Sequence, residues 1–296
     1  MTTMSASWLM VIASVLFASM GVCVKLASAQ YGTGEIVFYR SVMGAVLIAC
    51  IARRQRSPLG TKMAAAHLWR SLAGTTSLVL WVYALGRLPL STAVTLNYLS
   101  SVWIGVLHVG AALWLGSRLD GRQLLAVTAG FAGVALVLQP SMDATQLAGG
   151  AAGLAGGLLA AMAYMQLSAL GRAGEPSTRV VFYFSLTGVA AGAGLAFLED
   201  WHAMTLHGLL LLTGVAVFAA LGQLLMTRAY SIGRPLVNAS LQYLGIIFSA
   251  LFGVLLFNDH VSAVAVGGMA LIVGAGIASS LLQRGTSATD RPVPRP

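Results

Sequence analysis

The chain has 296 residues, of which 58% are hydrophobic and 8% charged, and it carries a net charge of +9. Ordinary globular domains are about 25% charged, so 8 acidic side chains leave too little polar surface for a soluble protein of this size. The basic residues sit in short clusters between apolar runs, a distribution that suits membrane orientation rather than nucleic-acid binding.

A helix needs about 20 apolar residues to cross a bilayer. By that measure the sequence predicts ten crossings: 8–28, 35–52, 68–86, 90–115, 123–139, 149–170, 179–198, 207–227, 236–257 and 262–282. The first run ends on Ala27–Ser28–Ala29, which resembles a signal-peptidase site. However, no Lys or Arg precedes Trp8, and the run exceeds the usual signal core of about 7–15 residues, so it is read as a retained first helix. Cys23 and Cys50 both lie in apolar runs, where a disulfide framework or metal ligation is not expected. Beyond Gln283 the polar, Pro-rich segment 284–296 reads as a disordered cytoplasmic tail.

Two stretches repeat each other. Tyr83–Arg87 (YALGR) followed by Asn97–Leu99 (NYL) returns as Tyr230–Arg234 (YSIGR) followed by Gln242–Leu244 (QYL). Val37–Tyr39 likewise returns as Val181–Tyr183. Each copy holds five crossings, and an odd number inverts the second copy relative to the first. The expected fold is an all-α integral membrane protein. Ten transmembrane helices form two inverted five-helix repeats, 1–140 and 148–283, around a central cavity.

Loop charge orients the bundle. Fourteen Lys and Arg border one set of loops: Arg53, Arg54, Arg56, Lys62, Arg70, Arg118, Arg122, Arg172, Arg179, Arg228, Arg234, Arg284, Arg291 and Arg295. Only Lys25, Arg40 and Arg87 border the other, with Glu35, Asp143, Glu199, Asp200 and Asp259. The positive-inside rule then puts both termini in the cytoplasm, in a multi-pass protein of the cytoplasmic (inner) membrane. Small residues spaced for close helix packing recur at Gly149–Gly153–Gly157, Gly188–Gly192 and Gly130 with Gly133.

From Trp8 to Leu282 the chain resembles the ten-helix, EamA-type branch of the drug/metabolite transporter superfamily. The likeness rests on the duplicated unit, Lys25 closing helix 1, VFYRS at Val37–Ser41, the Tyr-x-x-Gly-Arg turns and the glycine-rich helices 5 and 10. The resemblance implies a cavity lined mainly by helices 1, 3, 4, 6, 8 and 9, and transport of amino acids, other metabolites, nucleotide derivatives or toxic compounds. It also implies a proline early in helices 4 and 9, where this chain has Ser100 and Gly245. The acid implied at the end of helix 4 is Ser117 here, while its counterpart persists as Asp259.

Features found in one half only are the ones able to recognise an asymmetric substrate. Lys25 and Arg40 align with Ala169 and Phe184, and two readings of them stand open: contact with a carboxylate or phosphate, or snorkelling and internal pairing, with Glu35 as a partner. Tyr98 and Ser101 share a face of helix 4 with His108, and Asn238 and Gln242 share one on helix 9. With Tyr83, Asn97, Tyr164 and Tyr243 these complete the candidate substrate-binding set. His108 is a candidate proton carrier, although a lone buried histidine is more often structural. The Gly-Arg pair that ends helices 3 and 8 reads as a cap, with Gly at the C-terminus and Arg facing the negative helix end.

No Asp or Glu lies inside a predicted span away from its ends, which disfavours organic cations. Nothing resembles a phosphate-binding loop, so neither ATP nor another cofactor is expected to act directly. The sequence reading is a non-enzymatic secondary transporter of small polar metabolites such as amino acids, with export as the family-implied direction. Its partners are a small-molecule substrate and the lipid bilayer, with coupling protons a candidate, no nucleic acid, and a monomeric or homodimeric state. The alternative is a membrane-embedded enzyme acting on a lipid-linked phosphate, with Lys25, Arg40 and His108 gathered in a pocket open to lipid.

Overall fold

Hydrocarbon offers no hydrogen bonds, so apolar runs of this length must satisfy their backbone groups internally, and a helix does so within one segment. The computed structural model describes residues 6–114, 121–138, 144–199, 201–232 and 241–289. Among the described residues all regular structure is helical. In chain order it comprises α1 (Ala6–Ala27), α2 (Thr33–Arg54), α3 (Ala64–Leu85), α4 (Leu90–Tyr98), α5 (Ser100–Trp114) and α6 (Gly121–Leu138). There follow α7 (Ala144–Arg172), α8 (Ser177–Ala196), α9 (Leu206–Ile232), α10 (Leu244–Phe257) and α11 (Ala263–Thr289). Helices α1, α2, α7, α8 and α9 are each long and apolar enough to cross a membrane. Large apolar side chains such as Trp114, Phe197, Ile247 and Leu255 are exposed, as the lipid-facing surface of a multi-pass membrane protein requires.

Two features differ from the sequence expectation. The span read as 90–115 is interrupted at Leu99, where the Leu99 N–H donates to Leu96 O (3.2 Å) and the Val102 N–H to Leu99 O (2.9 Å). These i→i−3 bonds tighten the helix locally. A similar interruption sits at Tyr243, where the Ile246 N–H donates to Tyr243 O at 3.0 Å. Both fall on the repeated NYL and QYL sequences, next to Ser100 and Gly245, so the irregularity is present without a proline. The second difference is at the C-terminus, where α11 runs through Arg284 to Thr289, into the segment expected to be a tail. Ser117, Arg118, Asp143, Asp200, Arg234, Asn238, Arg291 and Arg295 lie outside the described residues.

The helices pair α2 with α8, α1 with α9, α3 with α7 and α6 with α11. Exchanging α1–α3 for α7–α9 turns the α1–α9 pair into α7–α3, and leaves α2–α8 and α6–α11 as they are. The secondary contacts of α2 with α9 and α3 with α8 also exchange. At the α2–α8 crossing, Gly34 faces the Leu195–Ala196 backbone and Gly192 faces the Phe38 backbone, each closer than a Cβ would permit. Gly157 packs in the same manner against the Leu96 carbonyl, 2.7 Å from where its Cβ would stand. Gly157 and Gly192, both picked out by spacing, therefore bring helix backbones together, the main source of attraction between helices in lipid.

Candidate functional site

A cavity of about 80 Å3 lies in the middle of the bundle, walled by α1–α4 and α7–α9, with Gln242 beside them. Arg40 reaches it from α2 and Arg70 from α3, each roughly two turns, or ~10 Å, inside its helix. They start from opposite ends of the bundle and converge on one aromatic ring. Their guanidinium carbons stand 5.4 Å (Arg40) and 4.8 Å (Arg70) from the centre of Phe184 on α8. Arg40 is 5% exposed and Arg70 3%. Gly74, one turn after Arg70, leaves the space that the Arg70 guanidinium occupies, since a Cβ there would collide with it.

Among the described residues neither arginine has a carboxylate partner, and Arg40 Nε together with Arg70 Nε and Nη1 are buried without a hydrogen bond. Trp81 Nε1 and Gln223 Oε1, on the same wall, are unsatisfied as well. The lining Gln242 and Tyr164 are neutral and bonded. Tyr230 Oη donates to Gln242 Oε1 (3.2 Å), and Gln242 Nε2 donates to Tyr164 Oη (3.3 Å). Asn97 and Tyr98 line the cavity beside the Leu99 interruption. The Tyr98 ring lies over Gly245, where a Cβ would strike its hydroxyl end. The chamber thus holds two positive charges, neutral donors and acceptors, and no Asp or Glu among the described residues that line it.

The candidate residues divide accordingly. Arg40, Asn97, Tyr98, Tyr164 and Gln242 are brought together in the cavity. Lys25 is not. Its ammonium contacts Asp259 (3.3 Å) and the Leu88 carbonyl (3.5 Å) at the α1–α2 end of the bundle, with the Phe257 ring 4.8 Å away. Of the two readings left open for it, internal pairing describes this geometry, although its partner is Asp259 rather than Glu35. Tyr83 is stacked under Arg87 at 3.5 Å, outside the cavity lining. Tyr243 lines an apolar groove between α10 and α11 with Ile246 and Met269. Ser101 and His108 lie on α5, but their side chains are outside the described set, as is Asn238 altogether. Gly86 does follow the last residue of α3, but with φ −70°, so its position makes no use of the left-handed freedom that the cap reading implied.

Sequence reasoning missed Arg70, Phe184 as its platform, and Gln223. Arg70 was counted as a loop flanker because its span was begun at 68, whereas Ala64–Ala66 extend the helix past it. The available signal for Gln223 was a large amide in the middle of a long apolar run, where polar groups face the bundle interior.

Polar clusters tie the two halves together at both ends. At the α1–α2 end, Asn258 in the left-handed conformation (φ 50°) closes α10, and the Asp259 N–H donates to Gly253 O at 3.0 Å. This turn aims Asp259 at Lys25 and at the Leu90 N–H (3.0 Å), the first residue of α4. Nearby, the buried Glu35 carboxylate accepts from the Gly32 N–H (2.9 Å) and from the His202 N–H (2.9 Å), and pairs with His202 Nδ1 at 2.8 Å. At the α2–α3 end, Glu175 accepts from Arg179 Nη1 (2.8 Å) and Thr61 Oγ1 (3.2 Å), and pairs with His67 Nε2 at 2.9 Å. Burial pushes the Glu175 carboxyl up, but Arg179, His67 and Thr61 together outweigh it and hold it below its ordinary range.

A multi-pass bundle whose polar chamber sits between helices of both halves is the build of a membrane transporter. The sequence comparisons agree: the chain belongs to the EamA-like transporter family, whose model matches residues 4–139. It is 30% identical over 280 residues to the pseudopaline exporter of Pseudomonas aeruginosa strain UCBPP-PA14, covering 94% of this chain and 96% of that protein. A riboflavin transporter of Brucella anthropi is 26% identical, over 95% of this chain and 100% of its own. One solved crystal structure shares the fold with a TM-score of 0.68 at 16% identity, over 96% of this chain and 99% of that one.

Proposed function

We propose that the chain is a secondary transporter of the cytoplasmic membrane that exports small polar metabolites, such as amino acids or related compounds, by alternating access. The observation that carries this reading is the central cavity with two buried guanidinia left uncompensated among the described residues. A buried cation near mid-membrane costs about 2.5–3.5 kcal/mol on insertion scales, and a bound anionic or zwitterionic metabolite offsets it. Substrate then sits against Arg40, Arg70, Asn97, Tyr98, Tyr164 and Gln242.

The exchangeable helix pairs support two inverted five-helix repeats that rock about this chamber. The polar clusters at both ends serve as closures, and a cavity of about 80 Å3 suits a form shut at both. Loop charge supports cytoplasmic termini, and the pseudopaline exporter among the relatives supports export. The alternative of an enzyme for a lipid-linked phosphate needs Lys25 beside Arg40, and the pairing of Lys25 with Asp259 draws it away.

The test is flux of a labelled amino-acid and organic-acid panel in proteoliposomes, in both orientations, with and without a pH gradient. We expect a subset of compounds to move faster than in protein-free vesicles, and acceleration by the gradient marks proton coupling. No movement of any compound in either direction overturns the reading.

A further inference from the structure

We infer that the cavity is a dianion site and that the preferred cargo is a small metabolite carrying two separated carboxylates. The inference rests on the transport reading above and deepens it. A monoanionic carboxylate engages one guanidinium and leaves the second buried cation without a counter-charge, which is the expensive half of any broken ion pair. Arg40 and Arg70 both face the same small chamber and stack on the same Phe184 ring. One ligand of a few carbons therefore reaches both.

Each guanidinium presents a planar fork that matches a carboxylate through two parallel hydrogen bonds. Three of the nitrogens that make such forks, Arg40 Nε, Arg70 Nε and Arg70 Nη1, are buried and unbonded. The two arginines repel one another and come from different helices, so two charges held apart on a carbon chain suit them better than one compact phosphate. Among the described residues no acidic side chain lines the cavity to compete with the ligand. The remaining walls refine the class. Gln223 Oε1 is an unused acceptor and Trp81 Nε1 an unused donor, so an amine or hydroxyl on the linking chain finds a partner. Phe17, Met20 and Val94 accommodate its methylenes.

The experiment compares glutarate with butyrate, glutamate with glutamine, and inorganic phosphate, in two assays on the full chain. In proteoliposomes the dicarboxylate of each pair is expected to move at least about tenfold faster than its single-carboxylate partner. R40Q and R70Q should each remove that preference, bringing glutarate flux down to the level of butyrate. In detergent, glutarate should raise the unfolding temperature of the unmutated protein and butyrate should not, a measurement that does not depend on either variant folding. Equal flux and equal thermal shift for the members of each pair overturn the dianion site while leaving transport intact. Phosphate surpassing glutarate in both assays overturns the dicarboxylate assignment. A glutarate-specific thermal shift with no flux of any compound supports the dianion site and overturns the transport reading instead.

Discussion

Lys25 and Arg40 look alike in the sequence: both are cations inside apolar runs, and the positions aligned with them in the second half, Ala169 and Phe184, are uncharged. The folded chain treats them in opposite ways. At the α1–α2 end Lys25 (19% exposed) is matched by Asp259 (11% exposed), and the same carboxylate holds the start of α4. In the middle of the bundle Arg40 meets a second arginine and an aromatic ring, and no carboxylate among the described residues. The contrast separates two uses of a buried charge. One whose partner is a side chain secures the fold, whereas one left uncompensated is costly to bury and is the charge to which the proposed substrate is assigned.

The sharpest way to break this contrast is Arg40→Met. Anion flux in proteoliposomes should drop about 100-fold, the range for losing a buried charged contact, while the unfolding temperature in detergent holds steady or rises because an uncompensated cation is gone. A stability loss with flux unchanged would reverse the assignment. Asp259→Ala should do the opposite at the other site. It strands the Lys25 ammonium and frees the Leu90 N–H, so chemical unfolding in detergent should register a loss of about 2–3 kcal/mol. Adding Lys25→Met should restore part of that, since the stranded charge is then removed.

Gly74→Val probes the central region without touching a charge. The new side chain displaces the Arg70 guanidinium from Phe184, and flux is expected to decline roughly tenfold, about 1.4 kcal/mol, with little change in unfolding temperature. The smallest effect belongs to Glu175 at the α2–α3 end. Its folded pKa lies below the ordinary value, so its contribution to stability is complete above the unfolded glutamate pKa of about 4.3 and is lost as pH drops through the lower folded value. The unfolding temperatures of the wild type and Glu175→Gln should therefore differ at neutral pH and converge in acid.

Much of the helical framework was legible in the sequence because its cause is local. Apolar runs of bilayer length must be helical, and the glycine spacing on α7 and α8 marked the close crossings. The helix interruption near Ser100 and Gly245 was harder to read, since the proline that commonly produces it is missing and only the shared NYL and QYL hinted at it. The site divides along the same line. Tyr98, Tyr164 and Gln242 were recognisable as polar groups on interior faces. The pairing of Lys25 with Asp259 was not, because it joins residues 234 positions apart and depends on the turn at Asn258. Arg70 was hidden by its nearness to a cluster of loop cations, where charge counting absorbs it.

Asp259 serves as counterion to Lys25 and as cap for the Leu90 N–H in a single pose. Lys25 meets both carboxylate oxygens and the Leu90 N–H only Oδ2. One side chain therefore joins α1, the start of α4 and the turn after α10, and a displacement of the whole side chain is felt by all three.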